Sequence, residues 1–431
     1  MTDTKLVVWR DCYGAYEKVG SLFRGNSGWE FAYSPEYAGQ AISARLPVRE
    51  SAFSPQETSA FFSALSPEGP VKATFLRELH AEGAEYEPLL RRLNDESQGG
   101  LVFSVERETP GLHASYQPLD WEFFERFAAS PRTIAFETMG KARLSLAGAK
   151  AKVGLYRSPD GRWFLPLGAA PSNCIVKAGG DAFPFEVINE ALCLETARRC
   201  DYDVPTLDVL HTKSGPLLTI ERYDRIIPES PLVIDGLPAP KRLHQEDLCQ
   251  LSGISPAWKY EPTGSSYLGL GAQSISRTCA NPFGEVQLFV SCVLFDYLIG
   301  NCDNHLKNYS VIYSEDWRSL RLAPRYDIVN TTVYPSLYTE MGISLQPSRS
   351  IFGLSRKSVE DVLAAANLPT KLGMDELDEL AAVIPQALEA ARDDLVERGF
   401  PKARRVASVM LDGILKRAAF SFDEHAVRTL V

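Results

Sequence analysis

The sequence lacks a disulfide framework: its eight cysteines, at 12, 174, 193, 200, 249, 279, 292 and 302, form no C-x-x-C pair and no regular spacing. A chain of this size needs no such staples, and the pattern predicts a reducing compartment, the cytoplasm. Positive charge is also short, with 45 Lys and Arg against 55 Asp and Glu and a net charge of −10. The molecule as a whole therefore repels phosphate backbones, and contact with DNA requires a local basic patch or a basic partner. Nothing in Met1 to Arg10 predicts export, because Asp3 and Lys5 precede a short apolar strand where a signal peptide has a basic start and a long apolar stretch. The most apolar run, Val286 to Ile299, is shorter than the roughly 20 residues a bilayer crossing needs and contains Gln287 and Asp296. It reads as a core helix, and no membrane contact is expected. Internal repeats and low-complexity tails are missing as well. What is present is 431 residues with 45% hydrophobic and 23% charged side chains, an ordinary globular composition sufficient for two or three domains.

Residues 1 to about 108 mix strand-like runs, Leu6 to Trp9 and Trp29 to Tyr33, with helical patterns at Pro55 to Leu65, Val71 to Ala81 and Tyr86 to Leu93. A break follows at Glu108-Thr109-Pro110-Gly111, then an amphipathic helix near Leu119 to Phe127. The stretch from Lys141 to Arg157 holds five basic residues and no acidic one. Strands are predicted at Lys152 to Arg157, Trp163 to Leu167 and Cys174 to Lys177, a helix at Phe185 to Arg199, and strands near Thr206 to Leu210 and Pro216 to Arg222. That order suggests a small nucleotide-covering lobe. Beyond Gln245 the pattern turns helical. Val286, Phe289, Val290, Val293, Leu294, Tyr297 and Leu298 predict one buried helix face, and Met374 to Arg398, with a kink expected at Pro385, and Ala403 to Lys416 give a bundle character.

The polar segment Gly300-Asn301-Cys302-Asp303-Asn304-His305-Leu306-Lys307-Asn308 follows the buried helix directly. Phosphoryl transfer to a hydroxyl needs a carboxylate to orient the nucleophile and take its proton, and an amide oxygen on the same loop to hold magnesium. Asp303 and Asn308 have that D-x-x-x-x-N spacing, and Tyr326-Asp327 offers a second, metal-binding carboxylate. Upstream, Ile175-Val176-Lys177 resembles the phosphate-neutralising lysine strand of kinases, with Glu190 in the next helix as its positioning partner. Leu217 to Arg225 reads as an apolar strand running into charge, where a hinge could read adenine through its backbone. The loop Ser145 to Lys152 is small and basic, so its amides could face phosphates. Singly, each feature has a plainer use: Asx turns at Asp303 and Asn308, a structural Lys177–Glu190 ion pair, a solvated basic face, a strand-end hydroxyl at Ser145. Together they run along the chain in the order a kinase requires.

These residues resemble the HipA family, bacterial serine/threonine kinases that act as toxins of toxin–antitoxin modules. The resemblance is carried by Ser145-Leu146-Ala147-Gly148-Ala149, Asn189-Glu190, Glu221 to Arg225, Gln245 to Gln250 with Lys259-Tyr260, Ile299 to Asn308 and Ala323-Pro324-Arg325-Tyr326-Asp327, with Val19-Gly20 and Leu46-Pro47 in the N-terminal part. It implies an α+β, two-lobed protein-kinase-like fold: an N-terminal α/β subdomain at 1–108, a nucleotide-binding lobe at 109–240 and a mainly helical catalytic lobe at 241–431. ATP would be held by Ala147, Gly148, Ala149, Lys150, Ala151, Lys152, Lys177, Glu221, Arg222, Tyr223, His305, Lys307, Asn308, Tyr326 and Asp327. Mg2+ would sit on Asn308 and Asp327, with Asp303 as catalytic base and Glu190 positioning Lys177. The family's loop reads Gln-Glu-Lys after Gly-Ala, whereas this chain has Lys150-Ala151-Lys152, which keeps Lys152.

The resemblance further implies growth arrest and persistence through phosphorylation of a cytosolic protein such as an aminoacyl-tRNA synthetase. Autophosphorylation at Ser145 would be the off-switch, and a HipB-like helix-turn-helix antitoxin would bring operator DNA. Two other readings stay open. Asp303, His305 and Asn308 also match the D-x-H-x-x-N loop of phosphoinositide kinases, which allows a small-molecule kinase, and the chain could be a mainly non-catalytic subunit of a DNA-bound repressor complex.

Overall fold

A computed structural model describes residues 5–81, 86–92, 98–105, 110, 113–142, 151–180, 183–334 and 339–430. Ser145, Ala147, Gly148, Ala149 and Lys150 of the expected nucleotide loop lie outside the described residues; Ala151 and Lys152 lie within them. The chain forms two compact units, one of Met1–Ala178, Leu210–Pro256 and Ile312–Ser319, the other of Gly179–Val209, Ala257–Val311 and Leu320–Val431. These boundaries cut across the three consecutive segments 1–108, 109–240 and 241–431.

Among its described residues the first unit holds two larger antiparallel sheets and two short two-stranded ones. Strands β1 (Leu6–Asp11), β2 (Tyr16–Arg24), β3 (Trp29–Tyr33) and β4 (Leu101–Val105) lie in the order β3-β2-β1-β4. Helix α1 (Pro55–Phe62) packs its Phe61 and Phe62 into the core beside Phe31 and Phe103. Its start is written locally: Ser54 accepts from the Glu57 amide, Glu57 accepts from the Ser54 amide, and Pro55 occupies the first turn, where a missing N–H costs nothing. The helix ends sooner than the pattern predicts, with Ser63–Leu65 tightening into a 3-10 turn. Helices α2 (Gly69–Glu78) and α3 (Glu87–Arg92) follow.

In the second sheet, β5 (Ala114–Leu119), β6 (Lys152–Arg157), β7 (Trp163–Gly168), β8 (Cys174–Ala178) and, after β9 (Leu207–Leu210), β10 (Leu217–Glu221) run in the order β5-β7-β6-β8-β10. Helices α4 (Trp121–Ala129) and α5 (Pro131–Ala142) cover one face, where Phe124, Phe127 and Ile134 meet Val153, Leu155 and Val176. Because side chains alternate along a strand, Lys152 and Lys177, which are opposed in the β6–β8 register, project together from the other face.

The second unit is a helical bundle: α6 (Glu186–Arg199), and, past α7 (Leu248–Ser252) of the first unit, α8 (Tyr267–Thr278), α9 (Pro282–Ile299), α10 (Arg356–Ala365), α11 (Thr370–Glu397) and α12 (Ala403–Ala418). Helix α6 is buried from Val187 through Ala197 and packs on α11 and α12, which is why it belongs to the bundle rather than to the sheet that precedes it. Helix α11 runs on through Pro385. The apolar helix α9 is long and apolar enough to cross a membrane by composition alone, but it is buried on all sides from Phe289 to Ile299, not on one face as the periodicity predicts. Its polar residues are satisfied inside: the Ser291 hydroxyl meets that of Tyr202 at 2.6 Å and donates to Glu376.

One buried carboxyl of the first unit makes stability depend on pH. Glu246, on the strand Gln245–Asp247, is pushed up to about 7 by burial, against the opposing effect of a hydrogen bond from the Tyr313 hydroxyl. A carboxyl whose folded pKa lies above its unfolded value of about 4.3 binds its proton preferentially in the folded state, so its stabilisation is present at acid pH and is lost as pH rises to 7. Glu246→Gln, which has no proton to lose, should gain on the order of 2 kcal/mol over wild type between pH 5 and 8 in urea titrations. A constant difference across that range would contradict this assignment.

Candidate active site

Helix α9 aims the polar loop. Asn281 caps its start by accepting from the Gly284 amide at 3.3 Å, and Gly300 ends it in the left-handed conformation at φ 86°, which a Cβ would strain. Below this end, Asp296 collects three partners. It accepts from Asn301 Nδ2 at 3.0 Å, from the Tyr309 hydroxyl at 2.5 Å and from Arg325 Nη2 at 2.8 and 2.9 Å. Burial opposes the Arg325 charge, but Asp296, together with Cys292 and Tyr309, outweighs it and leaves the guanidinium well above its ordinary value. Burial, followed by the charge of Asp296, pushes the Tyr309 hydroxyl upward in turn.

The loop then closes on itself. Asn301 Oδ1 accepts from the Asp303 amide at 3.1 Å, the Asp303 carbonyl accepts from the His305 amide at 2.9 Å and from Asn308 Nδ2 at 2.6 Å, and the Asn308 amide donates to the His305 carbonyl at 2.8 Å. Asn304 points inward, its Nδ2 donating to the Ile343 carbonyl at 3.1 Å and its Oδ1 accepting from Gly342 at 2.8 Å. With its nitrogen spent on the loop, the Asn308 side chain offers its oxygen, the hard type of ligand magnesium takes. The Asp303 side chain is 35% exposed, and it accepts a 2.5 Å hydrogen bond from the Tyr260 hydroxyl. His305 Nε2 lies 3.9 Å from the same carboxylate, and the Tyr260 ring meets the His305 ring edge-on at 4.9 Å.

Asp327 is brought to this loop by its neighbours. The Tyr326 hydroxyl donates to the Lys307 carbonyl at 2.8 Å and is 2.6 Å from Ser310 Oγ, and the Arg325 amide donates to the Asp203 carbonyl at 2.7 Å. Asn308 and Asp327 therefore issue from two segments pinned together one residue away, an arrangement that fits a shared cation. On the far side, Asn189 of α6 reads the Asn330 backbone like a peptide, its Nδ2 donating to the carbonyl and its Oδ1 accepting from the amide, both at 2.9 Å.

The remaining expected residues fall on both units. Glu190 is buried on α6, beside Asn189, in the second unit. In the first unit, Lys177 is 7% exposed on β8 opposite Lys152, and Glu221 closes β10. The hinge-like run differs from expectation after Glu221. The Arg222 amide already donates to the Asn173 carbonyl at 2.8 Å, and Arg222, Asp224 and Arg225 form a buried cluster in which burial alone would raise Asp224 but the two guanidiniums hold it well below the carboxylate range. The charged run is thus an internal anchor, and the Tyr223 hydroxyl joins it by donating to Gln245. Tyr260, Asn189, Asn304 and Gly342 were assigned no role from the sequence. Tyr260 and Asn189 stand in the stretches that carry the resemblance, but their partners are distant in the chain, and nothing local marks Gly342.

Both domains match family models: the HipA N-terminal domain over residues 11–104 and the HipA-like C-terminal domain over residues 144–395. The fold is that of a protein-kinase-like α+β protein: the solved HipA of Shewanella oneidensis, in a complex with HipB and its operator DNA, superposes with a TM-score of 0.77 over 93% of this chain and 95% of that one, at 22% identity. Among curated relatives, the chain is 31% identical to "Putative kinase Y4mE" of Sinorhizobium fredii over 73% of this chain and 75% of that protein. It is 27% identical to the serine/threonine-protein kinase toxin HipA of Shewanella oneidensis over 82% and 81%. The chain belongs to the HipA family of toxin kinases.

The loop's fit against its neighbour is testable at Gly342. A Cβ there would lie 2.7 Å from the His305 nitrogen and 2.8 Å from its Cα, and backbone atoms cannot move aside as a flexible side chain would. Gly342→Ala should cost about 1–3 kcal/mol in chemical denaturation. Wild-type stability in this variant would show that the approach is looser than described.

Proposed function

We propose that the chain transfers the γ-phosphate of ATP to a serine or threonine hydroxyl of a cytoplasmic protein and so acts as a growth-arresting toxin. The observation that carries this reading is Asp303: a partly exposed carboxylate on a loop braced by the side chains of Asn301, Asn304 and Asn308, held by Tyr260 and five residues before an amide oxygen. In this reading Asp303 orients the hydroxyl and takes its proton as the oxygen attacks phosphorus and the bond to the β–γ bridging oxygen breaks, releasing ADP. Asn308 and Asp327 would hold magnesium, which would neutralise charge on the phosphates. Lys152 and Lys177 put two ammonium groups at opposed positions on one sheet face, where like charges gain from an anion between them. Lys177 takes phosphate with Glu190 as its orienting carboxylate, and Ala147 to Ala151, Glu221 to Tyr223, His305, Lys307 and Tyr326 complete the nucleotide contacts.

The segments 1–108, 109–240 and 241–431 keep the roles of N-terminal subdomain, nucleotide lobe and catalytic lobe. A HipB-like antitoxin carrying operator DNA is the partner, supported by the complex in which the Shewanella HipA was solved. An aminoacyl-tRNA synthetase is the favoured substrate, and autophosphorylation at Ser145 the off-switch.

The purified chain with ATP and Mg2+ should label protein acceptors, and Asp303→Ala and Asp327→Ala should each lower transfer about a hundredfold or more with an unchanged melting temperature. Lys177→Ala should weaken ATP binding. Transfer to inositol lipids or small alcohols alone would favour the small-molecule kinase, wild-type turnover in both aspartate variants would remove the site, and a folded chain that turns over no ATP would favour the non-catalytic subunit.

A further inference from the structure

Helix α12 lies beyond residue 395, where the match to the C-terminal family domain ends. Its last turn carries Arg417, whose side chain is 0% exposed. Nε donates to the Leu298 carbonyl at 2.9 Å and Nη1 to the Thr332 hydroxyl at 3.2 Å, while the Arg417 carbonyl accepts from the Tyr297 hydroxyl at 3.2 Å. The guanidinium lies 4.6 Å from the centre of the Phe422 ring. Burial pulls its pKa down to about 10, which leaves it charged at neutral pH, and the groups that act on that charge are Tyr297, Cys302 and Cys193, none of them a carboxylate. Nη2 has no hydrogen-bond partner among the described residues.

A buried charge without a counter-ion is a poor way to build a core, since an apolar side chain of similar size would pack there at lower cost. What the guanidinium supplies is direction. Leu298 is in the last turn of α9, where exposed carbonyls and the helix dipole favour a cation, and the next residues form the Asp303 loop. Thr332 hydrogen-bonds Asn330 Oδ1 at 2.7 Å, in the segment that continues from Asp327. The two segments also meet directly, with the Thr331 amide donating to the Gly300 carbonyl at 2.9 Å and the Cys302 amide to Thr331 Oγ1 at 2.9 Å. We infer that Arg417 is a positioning residue for phosphotransfer, tying the end of α9 to the 330–332 segment so that the C-terminal helix sets the relative place of Asp303 and Asp327. The functional half of this inference rests on the kinase reading of those two carboxylates.

The test compares Arg417→Met, Arg417→Lys and Thr332→Val with wild type and with Leu415→Ser, a control on the exposed side of the same helix. Arg417→Met should lower kcat about tenfold or more while KM for ATP stays within about twofold, because the site is mispositioned rather than removed. Arg417→Lys, which keeps the charge and one donor at the helix end, should recover part of the loss. Thr332→Val should lower kcat, and adding it to Arg417→Met should cost little more, as expected for one shared interaction. Hydrogen exchange of the full-length proteins supplies a readout independent of activity: amides at 300–305 and 329–333 should exchange faster in Arg417→Met, with α8 unchanged. If Arg417→Met does not fold, Arg417→Lys is read for the same split. A folded variant with wild-type kcat, or with wild-type exchange in both segments, overturns the inference. Absence of phosphotransfer in wild type would instead overturn the kinase reading, and the exchange data would still decide whether Arg417 holds the two segments.

Discussion

The second unit, which carries the proposed site, is organised around a carboxylate that takes no part in the proposed chemistry. Asp296 is buried within α9, and its hydrogen bonds reach Asn301 before the Asp303 loop, Tyr309 after it and Arg325 at the approach to Asp327. A buried ion pair of this kind adds little net stability, because the two desolvation penalties consume most of the attraction; losing one partner nevertheless costs about 3–5 kcal/mol, because the other charge is left uncompensated. That asymmetry makes Asp296 a device for specificity of shape. The chain cannot reach a comparable energy with the loop slipped or with the 325–327 segment displaced, because each alternative strands a charge.

Around this anchor the loop gains rigidity by consuming its own polar groups. Asn301, Asn304 and Asn308 each use a side-chain amide on a backbone group, which does in a short irregular segment what a helix or sheet does with a repeating ladder. The plainer reading of Asp303 and Asn308 as Asx-turn formers therefore holds for the Asn308 nitrogen, which donates to the Asp303 carbonyl, and does not compete with the functional one. In Asn308 the nitrogen builds the turn, and the oxygen is the atom proposed for magnesium. In Asp303 the backbone builds the turn and the carboxylate stays partly exposed.

Legibility in the sequence followed the range of the interactions. Segments governed by local alternation, such as Trp29 to Tyr33 and Lys152 to Arg157, form strands with the expected bounds, and α1 starts at Pro55 as its pattern predicts. The opposed placement of Lys152 and Lys177 needed the register of two strands separated by β7. Helix α9 shows the opposite failure. The apolar spacing from Val286 to Leu298 suggests one buried and one solvated face, yet Ser291 and Asp296 between those positions are paired inside the bundle, and periodicity counts a satisfied buried polar group as an exposed one. The same blindness applied to Arg222, Asp224 and Arg225, where the run of charge that ends the apolar strand, expected to offer its backbone as a hinge, forms a closed internal cluster of side chains.

The two carboxylates of the site are held in different ways, and the difference fits their tasks. Asp327 has a positive φ of 55°, a conformation that costs an L-residue about 1–2 kcal/mol and that Asp tolerates better than most. It persists because the backbone is fixed on both sides: the Arg325 amide is bonded to Asp203, and Asn189 holds both backbone groups of Asn330. A metal ligand benefits from such over-determination, since a hard cation rewards fixed oxygens and a displaced one loses coordination outright. Asp303 has its backbone bonded within the loop at φ values that need no such strain relief, while its carboxylate accepts from the Tyr260 hydroxyl, lies 3.9 Å from His305 Nε2 and stays 35% exposed. On the proposed reading, the strain sits at the carboxylate that would hold the metal, and the freedom is left at the one that would receive a proton.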